Sequence, residues 1–66
     1  MKYSDLDYSF AIEAYMRAFE AANGKPSPHV WRDGQWIFID LDGHSVRMKM
    51  LRQMTGALWE RAFDEA

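Results

Sequence analysis

The chain has 66 residues, enough for one domain and too few for two. Hydrophobic residues make up 48% of it and charged residues 27%, a composition typical of globular rather than disordered proteins. The net charge of -2 indicates neither a strong polyanion binder nor a strong polyanion mimic, and the absence of cysteine excludes disulfides and cysteine nucleophiles. No apolar run approaches the ~20 residues of a membrane span, and Met1-Lys2 leads directly into polar residues. We therefore expect a cytoplasmic protein without a signal segment or a membrane span.

A first helix is predicted over residues 5–23. It begins after Ser4, which together with Asp7 matches a capping box. It ends at Asn23-Gly24-Lys25-Pro26, where a glycine and a proline stop the helix. Between these signals, apolar residues recur at spacings of three and four: Tyr8, Ile12, Tyr15, Phe19 and Ala22. Because this spacing places them on one side of a helix, we expect that side to face the core.

Three antiparallel strands are predicted in the middle of the chain, at 29–32, 35–41 and 44–49. The dipeptides Asp33-Gly34 and Asp42-Gly43 separate them, and each is typical of a two-residue hairpin turn. Consecutive hairpins give a meander, in which each strand pairs with the next one along the chain.

Two-residue turns also predict the register of the strands and the two faces of the sheet. They place Trp31 opposite Trp36, and Ile39 opposite Val46. Alternation along the strands then gives one aliphatic face, formed by Val30, Ile37, Ile39, Leu41, Val46 and Met48. The other face is aromatic and basic, with Trp31, Trp36 and Phe38 beside His29, Arg47 and Lys49.

A second helix is predicted over residues 50–65, from the apolar stripe of Leu51, Met54, Thr55, Leu58 and Ala62. The predicted fold class is therefore α+β, in the order α-β-β-β-α, with a three-stranded antiparallel meander packed on helices. Two arrangements stay open: both helices on the aliphatic face, or one helix on each face. The predicted core consists of Tyr8, Ile12, Tyr15, Phe19, Ile37, Ile39, Val46, Met48, Leu51, Leu58 and Ala62.

The sequence lacks the patterns that carry enzyme chemistry. The two histidines are fifteen residues apart, and neither belongs to a nucleophile–base arrangement. Asp40, Asp42 and His44 alternate like the start of a calcium loop, but the distal glutamate is missing, and a hairpin turn explains the acidic residues. No glycine-rich phosphate loop is present. We expect a protein that is not an enzyme and has no metal and no cofactor.

Two surfaces are candidates for binding a partner. The first is the aromatic and basic face of the sheet, since tryptophan and arginine are enriched at interaction hot spots: Trp31, Trp36, Phe38, Arg47 and Lys49. The second is the outer face of the first helix: Phe10, Glu13, Arg17 and Glu20. Leu6 and Phe10 lie off the apolar stripe of that helix, and we favour their burial under the other end of the chain over their exposure.

In length, acidic charge and α+β architecture, the whole chain resembles the small phage-encoded inhibitors of bacterial defence known as anti-CRISPR proteins. The resemblance implies a protein-binding inhibitor without enzymatic activity, which acts in the cytoplasm of the host bacterium by occluding a nuclease complex or its DNA site. It involves no shared motif and transfers no functional residue. The expected partner is a larger bacterial protein complex, such as a CRISPR effector. We favour a monomer, with a homodimer through the aromatic and basic face as the alternative.

Nucleic-acid binding is the second functional hypothesis. The three aromatic residues of the sheet would stack on bases, while Arg47, Lys49 and Arg52 would contact phosphates. The negative net charge and the absence of an RNA-recognition signature argue against it. A DNA mimic built on the acidic residues of the first helix is a weaker third hypothesis, because Lys2 and Arg17 dilute their charge.

Overall fold

A computed structural model describes residues 2–41 and 43–64. The fold consists of two helices and a three-stranded antiparallel sheet whose strand order is β1-β2-β3. The elements are α1 (Asp5–Asn23), β1 (Val30–Asp33), β2 (Trp36–Ile39), β3 (His44–Val46) and α2 (Met48–Asp64). The predicted α+β class and the predicted order α-β-β-β-α are confirmed. No helix within the described residues is long and apolar enough to cross a membrane.

Helix α1 has the predicted bounds, and both of its ends are capped as the sequence indicates. The Asp7 backbone N–H donates to the Ser4 hydroxyl oxygen at 3.1 Å, and the Ser4 backbone N–H donates to the Asp7 carboxylate at 2.9 Å. This reciprocal pair is a capping box. At the other end Gly24 is left-handed, with φ of 67°, and its N–H donates to the Glu20 carbonyl at 2.8 Å.

The register of the first hairpin differs from the prediction by two residues. Trp31 lies opposite Phe38, not opposite Trp36. The turn consists of Gly34 and Gln35, and Gly34 has φ of 62°. A positive φ at the first turn position alone is the pattern of a type II′ turn, which glycine favours. A shift of two residues preserves the face on which each side chain lies, because the period of a strand is two.

The second hairpin is also shifted by two, and its third strand is shorter than predicted. Ile37 lies opposite Val46, and Ile39 lies opposite His44, so residues 40–43 form a longer connection than the predicted two-residue turn. Asp42, in the predicted turn, lies outside the described residues. Leu41 leaves the sheet and is 61% exposed, so its predicted place on the aliphatic face is wrong.

Helix α2 begins at Met48, two residues before the predicted start, and its first residues were wrongly assigned to the third strand. The Leu51 N–H donates to the Arg47 carbonyl at 3.0 Å, which closes the first helical turn. Met48 and Leu51 are then three residues apart on a helix, and both are buried on the same side. Met48 fits both the two-residue alternation of a strand and the three-residue spacing of a helix. The sequence pattern therefore did not show where β3 ends and α2 begins. Glu65, the predicted last helical residue, lies outside the described residues.

Both helices pack on the aliphatic face of the sheet, which selects the first of the two predicted arrangements. They run in the same direction, because the Arg52 guanidinium lies 5.2 Å from the Tyr3 ring at one end and Arg61 donates to Asn23 at the other. The core cluster consists of Tyr8, Tyr15, Phe19, Val30, Ile37, Ile39, Met48 and Leu51. The other predicted core residues are partly buried: Ile12, Val46, Leu58 and Ala62.

Leu6 and Phe10 are exposed, each at 62%, so their predicted burial is wrong. Both lie on α1 away from the stripe of Tyr8 and Tyr15, which is the side that contacts the core. One helix cannot direct both sets of side chains toward the same sheet, and α2 packs beside α1 rather than over its outer face.

Candidate binding surface

The sheet face opposite the helices presents large aromatic side chains to solvent. Trp31 is 41% exposed and Trp36 is 46% exposed, while Phe38, on β2 with Trp36 and opposite Trp31 of β1, is half-buried. We call Trp31, Trp36, Phe38, Arg47 and Lys49 the aromatic–basic surface. The sequence predicted these five residues as one site, and the structure places all five at this side of the molecule.

Stacked rings hold one half of the aromatic–basic surface in place. Trp31 and Phe38 are cross-strand neighbours, and their ring centroids are 5.5 Å apart with planes inclined by 13°. His29 stacks on Trp31 at 5.1 Å, although it precedes β1. Each parallel ring pair restricts the rotation of its members, so Trp31 and Phe38 form a rigid ridge before any partner arrives.

A cation–π contact holds the other half. The Arg47 guanidinium lies 5.2 Å from the centroid of the Trp36 ring and also donates a hydrogen bond to the Gln35 side-chain oxygen. The Gly34-Gln35 turn therefore brings an acceptor to the arginine that packs on Trp36. Arg47 stays exposed despite these two contacts, so its charge remains accessible at the surface.

Lys49 reaches the aromatic–basic surface from a different element than predicted. It belongs to the first turn of α2 and not to a third strand. It nevertheless lines the same shallow groove as Trp36 and Arg47. The sequence reasoning missed two residues that also lie here. Gln35 accepts a hydrogen bond from Arg47. Ser45 lies opposite Phe38 on β3 and lines the groove, and alternation with Arg47 would have placed it on this face in either register.

The second candidate surface, on the outside of α1, is only partly assembled as predicted. Arg17 and Glu13 form an exposed ion pair at 2.6 Å, and both lie beside Phe10 along one groove. Glu20 instead accepts a hydrogen bond from the Ser27 N–H at 3.2 Å, which directs its carboxylate toward the connector before β1. Sequence reasoning missed Trp59 of α2, which lines the groove with Phe10.

Within residues 2–41 and 43–64, no three histidine, aspartate or glutamate side chains are placed to hold a metal ion together. Comparison of the chain with known proteins found no matching family model, no similar curated protein and no similar solved structure. The case for a function therefore depends on the geometry and the charge of the surfaces described above.

Proposed function

We propose that this protein is a binding module without enzymatic activity, which docks its aromatic–basic surface on a larger bacterial protein complex and inhibits that complex by occlusion. The observation that carries the proposal is the exposure of two tryptophans on the sheet face that packs against neither helix. Monomeric proteins rarely leave contiguous large apolar side chains in water, and such patches mark sites of interaction. Tryptophan and arginine are also the residues that contribute most at protein interfaces.

The rigidity of the aromatic–basic surface favours tight binding. Association costs free energy for every side chain that must be immobilised at the interface. The stacking of Trp31 on Phe38 and the packing of Arg47 on Trp36 order these side chains in the free protein. The partner therefore meets a preformed surface, and desolvation of the rings contributes to affinity with little loss of conformational entropy.

Charge indicates the chemistry of the partner. Arg47 and Lys49 form no ion pair with a carboxylate among the described residues. Two uncompensated cations beside exposed rings complement an apolar patch that carries acidic residues at its rim. A second copy of the same surface would instead bring these cations together, so we propose a monomer rather than a homodimer through this surface.

Nucleic-acid binding through the same residues remains the second hypothesis, and the ring geometry favours it less. Binding of single strands requires free aromatic faces on which bases stack. The Trp31 ring already stacks with two neighbours, His29 and Phe38, and the Arg47 guanidinium lies over Trp36. A base would have to displace these contacts, whereas a protein surface can pack against the exposed edges of the rings.

The identity of the inhibited complex is a further part of the proposal. The resemblance to anti-CRISPR proteins in length, acidic charge and architecture supports a CRISPR effector in the cytoplasm of a host bacterium. An inhibitor of this kind needs only to cover a functional site on the effector. A surface of two tryptophans, a phenylalanine and two cations is suited to such coverage.

The experiment compares two matched double variants in bacteria with active CRISPR immunity. Trp36→Ala with Arg47→Glu changes the aromatic–basic surface, while Phe10→Ala with Arg17→Glu makes the same kind of change on the outside of α1. Both sets of side chains are exposed, so both variants should keep the fold, which circular dichroism checks. The wild type and the α1 variant should restore phage plating and copurify with the effector. The sheet variant should do neither.

Two results would contradict the proposal. If only the α1 variant loses inhibition, the interface is the outer face of α1. The second result is that neither the wild type nor either variant inhibits the complex, while the wild type binds a single-stranded oligonucleotide with an affinity that falls steeply with salt. The nucleic-acid hypothesis would then replace the proposed function.

A further inference from the structure

A cleft lined by positive side chains opens beside the aromatic–basic surface. The segment before α1, the β1–β2 turn and the first turn of α2 border this open cleft, whose volume is about 550 Å³. Among the described residues, its lining includes four of the eight lysine and arginine residues of the chain and no acidic residue. These four are Lys2, Arg32, Arg47 and Lys49. A protein of net charge -2 thus concentrates half of its cations at one cleft.

Only one of these four charges is compensated by a carboxylate among the described residues. Arg32 lies over the Tyr8 ring at 4.3 Å and pairs with Asp5 at 2.5 Å. Arg47 donates to an uncharged amide oxygen. Lys2 and Lys49 have no ion pair and no hydrogen bond with any side chain in residues 2–41 and 43–64.

Three uncompensated cations at one cleft repel one another and attract anions. Lys49 lies in the first turn of α2, and this turn contains no acidic residue. The positive end of the α2 helix dipole therefore adds to the positive potential of the cleft. Lys2, Arg47 and Lys49 are exposed, so salt screens their charges, but their positive potentials add within the cleft. An anionic group that enters the cleft therefore gains more than it would elsewhere on this protein.

We infer that the cleft binds an acidic segment of the partner protein, one that carries several aspartate or glutamate side chains. This inference rests on the proposed function, because the cleft and the aromatic–basic surface share Arg47 and Lys49 and are continuous. A partner chain that packs over Trp36 reaches the cleft without leaving the surface. Guanidinium groups match the planar geometry of carboxylates and bind them through two parallel hydrogen bonds.

The test uses a hexaglutamate peptide as the probe and isothermal titration calorimetry at about 50 mM salt, where such interactions are little screened. Lys2→Glu should weaken peptide binding about tenfold, as expected for loss of a close charge pair. Lys49→Glu should do the same. Lys25→Glu is the matched control: Lys25 is exposed in the connector before β1, lines no part of the cleft, and undergoes the same change of charge. It should leave the affinity within about twofold.

Trp31→Ala separates this inference from the proposed function. Trp31 does not line the cleft, so the variant should bind hexaglutamate normally while losing inhibition of the protein complex. If Trp31→Ala retains inhibition but the lysine variants lose peptide binding, the proposed function fails and the cleft inference stands.

Three results would overturn the cleft inference. The first is no heat of binding with hexaglutamate at low salt. The second is an equal loss of affinity in Lys2→Glu and Lys25→Glu, which would indicate a general effect of net charge. The third is saturation by inorganic phosphate at a lower concentration than by the peptide, which would indicate a site for small phosphate-bearing ligands.

Discussion

Replacing Ile37 with alanine is the most direct test of the packing that orients the two sheet faces. Ile37 is fully buried, at 0% exposure, in the central strand, where Arg32 and Val46 lie opposite it. Removing a buried isoleucine to alanine costs ~2–5 kcal/mol, from lost transfer free energy and the cavity left behind. Domains have ~0.05–0.15 kcal/mol of stability per residue, so this chain has about 3–10 kcal/mol in total. The substitution should remove a large part of that.

The assay is thermal unfolding followed by circular dichroism. An unfolding entropy of ~2.1 cal/mol/K per residue gives about 0.14 kcal/mol/K for this chain, so a loss of about 3 kcal/mol lowers Tm by about 20 °C. Leu6→Ala is the control, because it removes a similar side chain at an exposed position and should change stability by less than about 0.5 kcal/mol. If Ile37→Ala and Leu6→Ala lower Tm by the same small amount, the assignment of the aliphatic face to the core is wrong.

Two further predictions concern the α1 cap and the assembly state. The Ser4 backbone N–H and the Ser4 hydroxyl hold the pKa of Asp7 below its usual value. The capping box therefore stabilises the fold fully above pH ~4, and this stabilisation is lost as the pH falls through the lowered pKa. Asp7→Asn should therefore lower Tm at pH 7, and this difference should shrink in acid; a difference independent of pH would contradict the reasoning. Light scattering should give the monomer mass of 7.8 kDa across a concentration series, whereas a constant dimer mass would favour self-association through the aromatic–basic surface.

The sequence predicted the two faces of the sheet more reliably than the pairing of its strands. Side-chain alternation depends only on whether a residue is odd or even along the strand, so it survives a register error of two residues. Trp31 therefore lies on the predicted face although its partner is Phe38 and not Trp36. The register itself depends on which residues form the turn, and both Asp33-Gly34 and Gly34-Gln35 suit a two-residue turn with glycine.

The boundary between β3 and α2 was not predicted, because two periodicities coincide there. Met48 continues the alternation of β3 and also begins the apolar stripe of α2, so neither pattern marks the transition. Phe10 presents a different problem, because the sequence shows that it lies off the core stripe but not whether another element covers it. That depends on the position of α2, which packs beside α1 and leaves Phe10 exposed.

Charged and aromatic side chains act at different stages of the proposed binding, which leads to a last prediction, about its kinetics. The cations of the cleft act over a Debye length of ~8 Å before contact, while the rings act only after water has been expelled. Lys2→Glu should therefore slow association with the protein complex, by an amount that diminishes as salt is raised. Trp36→Ala should leave association nearly unchanged and speed dissociation, because the lost interaction exists only in the bound state. Surface plasmon resonance at two salt concentrations measures both rates. If Lys2→Glu changes only the dissociation rate, the cleft does not steer the partner.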